Sequence, residues 1–145
     1  VIVDGIAMLV GDTVEGVDGL LFSETPGGNV FVEQLPEEPD RCVAVYVNGG
    51  FEADSLLDYD EPAFQFIVRS DRDPRWGLAT VQAIYSLLHG RRNEVLPDGT
   101  YLVYALCEQS GANHLAPDER GRHQYSLNFR SEIKNPTAER PETGL

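Results

Sequence analysis

The sequence predicts an α+β fold: a mixed, largely antiparallel β-sheet with two α-helices packed on one face. Three observations carry this. Residues 2–15 and 74–90 space their apolar side chains at helical intervals. Residues 63–70 and 123–133 alternate apolar and polar side chains with the period of a strand. Two short runs, CVAVYV at 42–47 and TYLVYALC at 100–107, are apolar on both faces, as strands covered on both sides are. At 145 residues the chain suits one domain able to hold a real core. Residues 1–134 are expected to form it. Residues 135–145, NPTAERPETGL, are polar and proline-rich, as a flexible C-terminal tail is.

Taken in order, the first helix rests on Ile2, Ile6, Leu9, Val10 and Val14. Gly5, Gly11 and Gly16 weaken it, each by about 1 kcal/mol relative to alanine at an interior position, so it needs packing to persist. TPGG at 25–28 is a turn. NVFVEQLP is a short strand stopped by Pro36, and PEEPD a stiff acidic connection. CVAVYV is expected to end at NGG, leaving residues 49–62 as a long loop. In AFQFIVRS, Phe64, Phe66 and Val68 point one way, and Gln65, Ile67 and Arg69 the other. Arg69 is expected to pair with a carboxylate at 58–61 or 71–73.

The second helix is the best marked. Asp73 is its N-cap and Pro74 its first residue, with Gly90 as the stop. Leu78, Val81, Tyr85 and Leu88, with Ile84 beside them, form its apolar face. PDG at 97–99 turns between NEVL and TYLVYALC. Residues 109–122 read as a second long loop. In HQYSLNFRSEI, Tyr125, Leu127, Phe129 and Ile133 face inward.

Charge and motifs limit the chemistry. With 11 Lys and Arg against 24 Asp and Glu, the net charge is −13, which repels nucleic acid and anionic membranes. No apolar run reaches the roughly 20 residues that span a bilayer. The opening VIVDGIAMLV has no basic residue ahead of it and is interrupted by Asp4, which argues against a signal peptide and for synthesis in the cytoplasm. Asp58-Tyr59-Asp60-Glu61 lacks the calcium-loop pattern and reads as a solvated acidic loop. His89, His114 and His123 show no zinc spacing, and Cys42 and Cys107 read as buried free thiols. No GxSxG elbow or phosphate loop is present. No catalytic, cofactor-binding or metal-binding residue is assigned. Long loops reach neighbours, so the candidate contact residues are Phe51, Leu56, Leu57, Tyr59, Arg69, Asn113, His114, Leu115 and Arg120.

The layout resembles the tail terminator proteins of long-tailed bacteriophages, a family often labelled phage minor capsid protein. The resemblance rests on NVFVEQLPEEPDRCVAVYVNGG, YDEPAFQFIVRS, ATVQAIYSLLHG and ERGRHQYSLNFRSEI in that order, and covers most of residues 2–134. It implies a structural virion protein that caps the tail tube as a hexameric ring and joins it to the head-completion complex. The implied partners are further copies of the chain, the tail tube protein and the head-completion or connector protein. The genome passes through the channel without sequence-specific contact. The resemblance implies neither cofactor nor catalytic residue. The alternatives are a head-completion or connector subunit of the neck and, from another class, a small cytosolic hydrolase using Cys107 with His114 or His123.

Overall fold

The protein is described by a computed structural model covering residues 1–11, 16–24 and 27–142. The expected end of the first helix, residues 12–15, and the TP of the first turn lie outside the described residues. The elements run α1 (Ile2–Val10), β1 (Val30–Val32), β2 (Cys42–Phe51), β3 (Tyr59–Arg69), α2 (Pro74–Leu88), β4 (Arg92–Val95), β5 (Tyr101–Cys107), β6 (Asn113–Leu115) and β7 (Gln124–Lys134). The strands form one sheet in the order β1-β2-β3-β7-β5-β4, with the short β6 also paired to β7. β1 runs parallel to β2, and every other pairing is antiparallel. This is the mixed, largely antiparallel α+β sheet that the sequence predicts.

The period-two residues of the two long strands make the core. Phe64, Phe66, Val68, Leu127 and Phe129 are fully buried, and Tyr125 nearly so. Phe64 stacks on Phe129 with centroids 5.1 Å apart, and Phe66 meets both rings edge-on. Offset and edge-to-face pairs of this kind add about 0.5–1.5 kcal/mol beyond area burial. Ile6 and Val10 of α1 and Val81, Ile84 and Leu88 of α2 join the same cluster, so both helices cover one face.

α2 begins as its sequence signals. The Asp73 carboxylate accepts from the Arg75 backbone N–H at 3.1 Å, and Pro74 takes the first helical position. Its buried stripe is rotated from the expected one: Gly77, Thr80, Val81, Ile84 and Leu88 face the sheet, while Leu78 is 41% exposed. The cause is Gly77. A Cβ there would lie 2.7 Å from the Tyr125 ring, so the helix approaches the sheet along its smallest residue.

Two expected loops shorten. β2 does not stop at NGG, because Gly49 and Gly50 take positive φ angles of 71° and 131° and absorb a register shift. Pairing resumes at Gly50–Pro62 and Phe51–Glu61, as at a β-bulge. A side chain on Gly50 would strike the Glu61 carbonyl. The connection is then residues 52–58. Within 109–122, Asn113–Leu115 pairs with Ser126, Tyr125 and Gln124.

Arg69 corrects the expected carboxylate pairing. Only 3% exposed, it donates to the backbone carbonyls of Pro39 and Asp40 at 2.6 and 3.0 Å. Arg122, 4% exposed, donates to the Glu37 carbonyl at 2.6 Å and to the Asp118 carboxylate at 2.7 Å. The two guanidiniums fasten the PEEPD segment beside Cys42 and Arg69, on the side of the sheet opposite the helices. Cys42 and Ala44 are fully buried there.

Candidate functional site

β2 and β3 form a hairpin whose root lies in the core and whose far end does not. Cys42 to Val45 are fully buried, whereas Val47 to Phe51 are exposed. At the tip, the Asp54 carboxylate accepts from the backbone N–H groups of Leu56 and Leu57, both at 2.7 Å. Those hydrogen bonds hold its carboxyl below the usual aspartate value. The turn presents both leucines outward, Leu56 at 80% and Leu57 at 48% exposure. Phe51, at 60%, lies under the Arg130 guanidinium at 5.8 Å. Tyr59 is half-buried, with the Lys134 ammonium 6.0 Å from its ring.

The remaining expected contact residues lie elsewhere. Asn113, His114 and Leu115 are exposed on β6, and the His114 ring meets the Tyr125 ring edge-on. Arg120 is exposed and paired with Glu38 at 2.9 Å. His114 pairs with Tyr125 near the start of β7, and Tyr59 pairs with Lys134 at its end. Nine residues of strand separate the two groups, about 30 Å at strand rise. Arg69 joins neither, because its guanidinium is engaged in the interior.

Two surfaces escape a reading based on loops. The first is the half of the sheet left open beyond the PEEPD segment. Register places Tyr46, Tyr59, Tyr101 and Tyr104 on this face, four of the chain's six tyrosines, with Phe51 at its margin. Lys134 lies 5.5 Å from the Tyr101 ring. Glu61 and Glu132 sit among them. Burial, and then the Glu61 charge, pushes the Glu132 carboxyl above the usual glutamate value. With Glu52 and Asp54 they line an open hollow of about 530 Å³. The second surface is the outward side of α2, where Leu78, Ala79, Gln82 and Ser86 are exposed. Arg75 is the only charged residue of this fifteen-residue helix, and Asp73 holds its guanidinium at 2.9 Å. Both surfaces had sequence signals: tyrosines at outward strand positions, and a surface helix almost free of charge in a strongly charged chain.

The acidic segment 58–61 is divided. Asp60 accepts from the Asn135 side-chain amide at 2.6 Å and lies 2.8 Å from Arg140. Arg140 also donates to the carbonyls of Asp54, Leu57 and Tyr59, tying residues 135–140 to the hairpin. Asp58 is fully buried, and among the described residues neither of its carboxyl oxygens has a hydrogen-bond partner.

Burial raises the Cys42 thiol to about 11 and also pushes the Cys107 thiol up, so both favour the neutral, unreactive form. His89 accepts the Cys107 backbone N–H through Nδ1 and stacks on Tyr85. Among the described residues, no group of three or more His, Cys, Asp or Glu could hold a metal ion. No described helix is long and apolar enough to cross a membrane. The strands carry the motif series in chain order from β1 to β7. No curated protein matches it. A family model described as bacteriophage tail terminator protein matches residues 9–135, from the end of α1 past the end of β7. The chain belongs to that family, and is a structural protein of the bacteriophage tail.

Proposed function

We propose that this protein closes the growing tail tube as a hexameric ring and joins it to the head-completion complex. It would then sit at the head–tail interface of the virion, after synthesis in the host cytoplasm. The tail tube protein would lie on one side of the ring and the head-completion or connector protein on the other. The single observation that supports this reading beyond family membership is the hairpin tip, where Phe51, Leu56 and Leu57 stand exposed on an ordered turn. Apolar side chains held outward in this way suit burial against a neighbour. With Tyr59 they form one contact group, and Asn113, His114, Leu115 and Arg120, about 30 Å away along β7, form a second. Two separated groups suit a subunit with different neighbours at its two ends.

Charge makes the reading testable. Six copies, each at −13, carry −78 together, and like charges must be screened before they can be packed. Ring formation is expected to strengthen as salt rises from low ionic strength, as measured by sedimentation velocity on the full chain. Rings that weaken steadily with added salt, or a monomer at every salt concentration, contradict the proposal. The same acid excess suggests carboxylates along the central channel, where they would repel DNA phosphates and let the genome slide. A density map with a strongly basic lumen removes that part.

A further inference from the structure

The hairpin tip is tied down by the far end of the chain. Pairing of β2 with β3 ends at Phe51–Glu61, so residues 52–58 lie outside every strand. Asp54 shapes the turn from within, through the Leu56 and Leu57 N–H groups and through its own N–H to the Tyr59 carbonyl at 3.4 Å. The carbonyls of the turn are taken up from elsewhere. Those of Asp54, Leu57 and Tyr59 converge on Nη1 of Arg140 at 3.0, 3.1 and 3.2 Å, and its Nη2 stands 2.8 Å from the Asp60 carboxylate. A guanidinium is a planar fork of donors that can hold several acceptors at once, whereas an ammonium is a point charge. The Arg140 side chain is only 12% exposed, so water competes little for it. The chain reaches this position by a short return. Just past Lys134, the Asn135 backbone N–H donates to the Asp58 carbonyl at 2.6 Å, and its side-chain amide donates to the Asp60 carboxylate at 2.6 Å. Thr137 and Arg140 then exchange backbone hydrogen bonds at 2.8 and 3.2 Å, a tight turn that brings Arg140 back to the hairpin.

We propose that residues 135–140 are a strap and Arg140 its clasp, which holds residues 54–59 in the conformation that presents Leu56 and Leu57. This inference rests on the reading above that the tip is a contact surface, and adds what prepares that surface in the free subunit. A loop that is ordered only when it meets a neighbour loses its backbone freedom at that moment, and the contact is weakened by the same amount. A loop already tied by Arg140 has lost that freedom beforehand. The three carbonyls lie 81 to 86 residues earlier in the chain, so the clasp is a tertiary contact at the edge of the fold. Such a contact can open while the sheet and α2 stay closed. With the strap open, the turn keeps only the hydrogen bonds of Asp54, and its leucines are no longer fixed in place. Arg140 is therefore a positioning residue for assembly, acting through the tip.

Hydrogen exchange on the full chain tests the strap. In Arg140→Ala, the amides of residues 54–59 are expected to exchange at least about tenfold faster, since the loss of one hydrogen bond from a charged donor accounts for that factor. The amides of α2 and of the first half of β7 are expected to keep their rates. Unchanged exchange at 54–59 overturns the proposal. Acceleration spread equally through α2 and β7 makes Arg140 a support of the whole fold, and overturns it too. Arg140→Lys keeps the charge and loses the fork, so its tip is expected to exchange at a rate nearer to that of Arg140→Ala than to that of the parent. The reverse result assigns the effect to charge beside Asp60 and removes the clasp. Assembly is read separately, by sedimentation. Arg140→Ala is expected to lose assembly at the protein concentration where the parent is half assembled, as the double variant Leu56→Ser, Leu57→Ser is. A loosened tip with undiminished assembly, beside a double variant that fails to assemble, overturns the strap's role and leaves the contact reading standing. A double variant that assembles fully, or a parent that stays monomeric, removes the contact reading itself, and the exchange rates alone then decide the strap.

Discussion

Carboxylates gather at both ends of β3 and do opposite things there. After the strand, each is used. Asp71 accepts from the Asp73 backbone N–H and pairs with Arg41 at 2.9 Å, while Asp73 caps α2 and holds Arg75. Before the strand, only Asp60 is well used, as an anchor for Arg140 and Asn135. The Asp58 side chain is buried with no hydrogen-bond partner among the described residues, and Glu61 stands beside Glu132 on the open face. One end is scaffold, where charge stabilises the isolated subunit. The other end carries electrostatic cost that the subunit alone does not relieve, next to the apolar tip of the hairpin. That placement suits the assembly surface proposed above.

The largest expected effect on stability is at Asp58. A buried side chain whose oxygens lack hydrogen bonds is destabilising, so the apolar replacement Asp58→Leu is expected to raise stability by about 1–3 kcal/mol in urea denaturation. A loss of stability would mean that the carboxylate has a partner and the two ends are alike. The contrasting change, Asp73→Ala, removes a cap and should lower the thermal midpoint by a few degrees. No shift would remove Asp73 from the scaffold.

pH separates the ends by sign. The Arg75 side chain and backbone N–H hold the Asp73 carboxyl at about 2. Its stabilisation is present above the ordinary aspartate value and lost as pH falls toward 2, so the penalty of Asp73→Asn should shrink between about pH 4 and pH 2. The Glu132 carboxyl is raised by burial and by Glu61, so its contribution is full below the ordinary glutamate value and is lost as pH rises through the raised one. Glu132→Gln should therefore stabilise the subunit near neutral pH and make no difference below about pH 4. Denaturation midpoints across this range check both, and slopes of the same sign would refute the contrast. The smallest effect on stability belongs to the hairpin tip. Leu56→Ser with Leu57→Ser should change the subunit by no more than about 0.5 kcal/mol while reducing assembly in sedimentation. Full assembly by that variant would remove the tip from the contact surface.

Local signals were legible and long-range ones were not. The Asp-Pro start of α2 and the alternation of β3 and β7 state their structure in consecutive residues, and the core follows from them. Gly49-Gly50 was ambiguous, because glycine at positive φ serves a stop and a bulge equally, and only the partner strand decides. β6 has three residues and exists through its pairing with β7, a contact no periodicity reveals. Arg69 appeared to be a surface ion-pair residue because its backbone-carbonyl partners come from 29 and 30 residues earlier. The candidate contact residues at the hairpin tip are legible as loop residues. The two larger faces were passed over because each belongs to a regular element, where outward residues draw less notice than loops.

This chain is proposed to work by joining copies of itself at the end of the tail tube. Electron cryomicroscopy of intact particles tests it most directly, by the position, symmetry and copy number of this protein. The expected result is one ring of six copies between the tube and the head-completion complex. A single copy, a position elsewhere in the particle, or a ring in which the hairpin tips all face solvent would contradict it.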